Sequence, residues 1–77
     1  MKTVEQILEA KLSPQRKKHY MLIVLEYPED KIVAQRDELK RKVKIHKKRL
    51  SFEHNQEILE ELKYLRKQLS GLNYLLK

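Results

Sequence analysis

Apolar residues recur along the second half of this chain at two related spacings, and those spacings predict two helices of different character. Between Asp30 and Leu50, the residues Ile32, Leu39, Val43, His46 and Leu50 step by 7, 4, 3 and 4. At about 100° per residue these positions fall within a stripe about 60° wide, one face of an amphipathic helix. Ile58, Leu62, Leu65, Leu69, Leu72 and Leu76 then form an unbroken 4-3-4-3-4 ladder, the a/d spacing of a coiled-coil seam. The two stripes do not join in phase, because the heptad positions between Leu50 and Ile58 are the acids Glu53 and Glu57. A break is therefore predicted near Ser51 to Asn55, with Ser51 or Asn55 as the new N-cap and Glu53 and Glu57 in the first turn, where the helix dipole favours acids. An antiparallel hairpin buries both stripes and brings Lys47, Lys48 and Arg49 towards Glu53, Glu57, Glu60 and Glu61. The rival, one continuous helix of about 40 residues, could cover both stripes only with another chain. Self-association, most simply as a dimer, is expected in either arrangement.

The N-terminal half carries clearer punctuation. The only glycine is Gly71 and the only prolines are Pro14 and Pro28, a scarcity that favours helices. Thr3 followed by Gln6 has the form of a capping box, so a short helix is predicted over 3–12 with Ile7, Leu8 and Leu12 on one face. Ser13 and Pro14 suit the N-cap and first position of a second segment, 14–27. Within it Tyr20 to Leu25 is apolar on every side. Over six residues periodicity does not separate a buried helix from a buried strand, and the Ile-Val content leans towards strand. A strand needs a partner that only a second copy could supply, so helix is the expectation. The predicted fold is all-α, a single small domain with helices over 3–12, 14–27, 30–50 and 55–76 and a C-terminal antiparallel hairpin of coiled-coil character.

Length limits what such a domain can do alone. A chain of 77 residues buries only about 60% of its unfolded surface. It has no cysteine, which removes disulfides and thiolate zinc sites from the means of support. The first residues lack an apolar core of signal-peptide length, and the run Tyr20 to Leu25 is far short of the roughly 20 residues that span a bilayer. A cytoplasmic protein with no membrane partner is expected.

Charge changes this picture most. The net charge is +7, and the segment Arg36 to Arg49 holds eight Lys/Arg against two acids, so it carries +6 of the total. A localised cationic block on a small domain is the electrostatic footprint of a phosphate-backbone or acidic-protein partner. On the helical wheel Lys40, Lys44 and Lys47 lie along one side of the apolar stripe with Arg36 at its edge, and Arg41 and Lys48 continue outward. Lys42 and Arg49 fall on the other flank. These six residues, Arg36, Lys40, Arg41, Lys44, Lys47 and Lys48, are the candidate nucleic-acid contacts. Lysine is a point charge suited to phosphates, whereas base readout is largely the work of Arg, Asn and Gln. DNA and RNA are not distinguished by this pattern. A solvated helix face laced by the pairs Asp37 with Arg41 and Glu38 with Lys42 is the plainer account, but it leaves most of the charge uncancelled.

Ile45 lies in the basic side, about opposite the stripe, and suggests a contact surface, for a partner or for residues 20–25. With Met21 it is the candidate for the alternative function, an inhibitor or adaptor module docking on an acidic or helical protein. Other chemistry is thin. His19, His46 and His54 have no cysteine and no histidine one turn away, so no metal is expected, and His46 suits a partly buried core or register position. No nucleophile-base set or glycine-rich phosphate loop is present, so neither catalysis nor a cofactor is expected. Tyr20, Tyr27, Tyr64 and Tyr74 could stack on bases but more readily close the edges of the core.

Overall fold

In the computed structural model, which describes all residues from Met1 to Lys77, 83% of the chain is helical and no strand forms. The helices are α1 (Val4–Glu9), α2 (Pro14–Glu26), α3 (Glu29–Phe52) and α4 (Gln56–Leu76). The capping box forms as its spacing predicts: Thr3 Oγ1 accepts from the Gln6 amide at 3.2 Å, and Gln6 Oε1 accepts from the Thr3 amide at 2.9 Å. α1 nevertheless ends at Glu9, earlier than the predicted Leu12, because Ala10 turns extended. Lys17 of α2 donates to the freed Leu8 carbonyl at 2.8 Å, satisfying an acceptor the helix end leaves open. Ser13 Oγ then accepts from the Arg16 amide at 3.3 Å, and Pro14 opens α2.

Tyr20 to Leu25 is helical, and α2 stops where Pro28 forces Tyr27 into an extended conformation. α3 runs two residues beyond the predicted Leu50. Ser51 stays inside it, its hydroxyl donating to the Lys48 carbonyl at 2.6 Å. Glu53 is the C-cap of α3 and does not enter the first turn of α4. Asn55 is the cap that starts α4, its Oδ1 accepting from the Glu57 amide at 2.9 Å.

α3 and α4 pack closely as a helical hairpin. Ile32, Leu39 and Val43 of α3 and Ile58 and Leu62 of α4 are buried in it. His46 and Leu50 are half-buried, as are Leu65, Leu69, Leu72 and Leu76, so the ladder is sealed only at its start. The two completely buried side chains, Ile7 and Leu75, lie off both stripes. They mark a second contact, where the N-terminal segment crosses the end of α4 and the Lys2 amide donates to the Leu75 carbonyl at 2.7 Å. Tyr20 stacks on Tyr74 with ring centroids 5.3 Å apart, and Lys2 Nζ sits 5.0 Å from the Tyr74 centroid.

The helices alternate in direction. Met1 lies beside Glu29 and Lys2 beside Leu75, so the chain start, the start of α3 and the end of α4 share one end of the bundle. α2, at 13 residues, is roughly 20 Å long, whereas α3, at 24, is roughly 36 Å. The turn end of the hairpin therefore projects beyond α1 and α2 as an arm. A radius of gyration of 14.4 Å, with extents of 44 × 26 × 17 Å, fits that shape, since a compact chain of this length would have about 11–12 Å.

Candidate nucleic-acid interface

The cationic block begins beside α2 and runs out along the arm. In an antiparallel pair of right-handed helices, residues rotated in the same sense from each seam lie on the same side of the pair. One side of this hairpin is partly covered: a groove between α2 and the hairpin brings His19 and Tyr20 next to Gln35, Leu39, Tyr64 and Gln68. The other side is open. There Arg36 of α3 and Arg66 of α4 line one shallow groove of about 620 Å³ with Ser70, Asn73, Tyr74 and Lys77, and no acidic side chain joins them. Lys40, Lys44 and Lys47 continue this side along α3, and Lys63, one turn before Arg66, continues it along α4; all four are exposed.

Four of the six predicted contacts, Arg36, Lys40, Lys44 and Lys47, thus share the open side. Arg41 and Lys48 lie on the back of α3, away from the seam. The two acids of the block act differently from the predicted one-turn pairs. Arg41 forms a fork on Glu38, Nη2 to Oε1 at 2.6 Å and Nε to Oε2 at 3.3 Å, and Arg36 reaches its neighbour Asp37 at 3.1 Å. The Arg41 hydrogen bond, then its charge, holds the Glu38 carboxyl below its ordinary pKa and raises that of Arg41 in return. Arg41 and Arg36 are therefore the two cations of the block already engaged by acids. The other six, Lys40, Lys42, Lys44, Lys47, Lys48 and Arg49, make no ion pair.

The one contact across the hairpin with an acid of α4 is made by His46. Its Nε2 lies 2.9 Å from Glu61 Oε2 and its Nδ1 lies 2.9 Å from the Lys42 carbonyl. Lys42, Lys47, Lys48 and Arg49, expected to turn towards the acids of α4, stay in solvent, where ordering a long side chain costs as much as an exposed pair returns. By helical phase Glu57 and Glu61 fall on the covered flank, which leaves the open side without an acid from α4.

The proposed partner residues do not meet. Ile45 is 44% exposed on the arm, while Met21 is half-buried on α2, a helix that packs chiefly on α1 and α4. Residues 20–25 therefore do not cover Ile45. Lys63 and Arg66 are the members of the surface that reading the block alone misses. Their signal was available in the ladder, because both sit on the same rotational flank of the α4 seam as Lys40 and Lys44 do of the α3 stripe. No helix is long and apolar enough to cross a membrane. No family model matches the chain, and neither the curated proteins nor the solved structures include a significant match to it.

Proposed function

We propose that this protein binds nucleic acid through the open side of its helical hairpin, in an accessory or regulatory role. The observation that carries the reading is the gathering of Arg36, Lys40, Lys44, Lys47, Lys63 and Arg66 on one exposed side with Asp37 as the only acid paired there. Four to six phosphate contacts would give a slope of log K against log salt of about −4 to −5 through counterion release. Replacing Lys40, Lys44 and Lys47 together by Glu removes three of them. Affinity should fall on the order of a hundredfold at physiological salt, and the slope should lose about 2.7. Fluorescence anisotropy over a salt series measures both, with far-ultraviolet circular dichroism as the control for helicity. Unchanged binding by a helical triple variant would sink the proposal.

A second reading is an interaction module that docks on an acidic or helical protein or on another copy of itself. Its support is apolar side chains left open at two separate places: Leu22 and Leu25 on α2, the latter 71% exposed, and Ile45 and Phe52 on the arm, the latter 80% exposed. Sedimentation equilibrium of the protein and of its Leu25→Asp variant addresses the self-association branch. A monomer at high concentration in both would count against it.

A further inference from the structure

We infer that the open side takes double-stranded rather than single-stranded nucleic acid. The inference rests on the binding function proposed above and adds the form of the ligand. Two features of the hairpin carry it.

The first is that the cations stand in two rows. Arg36, Lys40, Lys44 and Lys47 extend over about 16 Å of α3 at 1.5 Å per residue, and Lys63 and Arg66 form a second row on α4. The helix axes of such a pair lie about 8–10 Å apart, and both rows leave the hairpin on the same side, as the groove shared by Arg36 and Arg66 requires. Two parallel rows at that separation match the two phosphate strands that border a duplex groove, whose B-form major groove is about 12 Å wide. A single strand offers one line of phosphates and would leave one row unused.

The second is that the stacking groups are elsewhere or already engaged. Proteins that hold single strands pair a cationic track with aromatic side chains on which bases stack. Here Tyr74 lines the groove of Arg36 and Arg66, but its ring is stacked on Tyr20 and has Lys2 Nζ 5.0 Å from its centroid. Tyr64 lies in the groove on the covered side with His19 and Gln68. Tyr27 lines a separate cavity with Ile23, Ile32 and Leu72. Phe52, the only phenylalanine, is on the back of α3 by helical phase. The aromatic side chain that shares the groove of Arg36 and Arg66 is Tyr74, and its ring is already engaged, so that surface has charge for a backbone and no open ring for an unstacked base.

The test is anisotropy of the full chain with labelled 20-mers of mixed sequence: a DNA duplex, an RNA duplex and each corresponding single strand, across a salt series. At least one duplex should bind tenfold or more tighter than its single strands. The double variant K63Q/R66Q, which removes the second row, should weaken duplex binding at least tenfold, lower the duplex salt slope by about two, and weaken single-strand binding by a clearly smaller factor. Single strands bound as tightly as both duplexes, or full duplex affinity in a helical K63Q/R66Q, would overturn the inference while leaving nucleic-acid binding intact. Absence of binding to every probe at low salt would instead overturn the underlying function, and the inference with it.

Discussion

The lone glycine offers a sharp test of how α2 sits on the hairpin. Gly71 lies inside α4 with no positive φ, so the backbone does not require it, and glycine in a helix interior costs about 1 kcal/mol relative to alanine. The reason for a small residue is Tyr20, whose ring crosses α4 at this point. A Cβ built on Gly71 would lie 3.4 Å from Tyr20 Cε1, 3.4 Å from its hydroxyl and 3.8 Å from Cζ, which is contact without a clash. Each such contact adds only about 0.1–0.2 kcal/mol. Gly71→Ala should therefore stabilise the fold by about 1 kcal/mol, which for a domain of this size raises Tm by about 4–8 °C. Gly71→Leu has no comparable room. It must push Tyr20 off Tyr74, losing a stack of about 0.5–1.5 kcal/mol and introducing overpacking of about 1–3 kcal/mol. Urea unfolding followed at 222 nm gives the stabilities, and the tyrosine signal near 275 nm reports the stack, since the chain has no tryptophan. Destabilisation by Gly71→Ala of more than about 1 kcal/mol, or equal stability of the two variants, would refute this packing of Tyr20.

Two further outcomes follow from the same geometry. Leu62→Ala should cost about 2–5 kcal/mol, as expected for a core leucine, and Leu65→Ala clearly less, because Leu62 is 4% exposed and Leu65 only half-buried; chemical denaturation ranks the two, and equal costs would contradict an unevenly sealed ladder. The Glu38 carboxyl should titrate below its ordinary value, and Arg41→Gln should return it there. Because the folded value is the lowered one, the pair supports the fold at neutral pH and that support is lost as pH falls through the folded value; carboxyl chemical shifts measured by NMR across that range provide the check.

Much of the architecture could be read from spacing, because spacing decides which residues share a helix face. Ile32, Leu39 and Val43, Ile58 and Leu62, the Thr3 box and the Ser13 and Asn55 caps all occupy places that local rules assign. What local rules missed was one tertiary contact and some local detail. Leu75 is off the ladder and is buried by a segment from the opposite end of the chain, a contact with no periodic signature. α1 ends early at Ala10 although its apolar pattern continues to Leu12. Ion pairs were also misassigned, since Arg41 could reach an acid at either three or four residues and the side-chain fork selected Glu38. For the proposed interface, one linear block displayed the α3 row, whereas Lys63 and Arg66 were dispersed in a nearly neutral helix and come to the same side only once the hairpin closes.

The strap from Lys2 to Leu75 also bears on the order in which the molecule forms and comes apart. The hairpin closes through a turn of three residues between Phe52 and Gln56, so its contacts involve short loops and form early and fast. The strap joins opposite ends of the chain and bears the largest loop-closure entropy, so it closes last. Read in reverse, it is the first place to open, and with no residue of α2 fully buried, α1 and α2 can detach as one low-stability unit. Amide exchange should then be fastest in α1 and α2 and slowest around Leu39, Val43 and Leu62. The cations are anchored to the slow-exchanging part, so the proposed interface would outlast this partial unfolding.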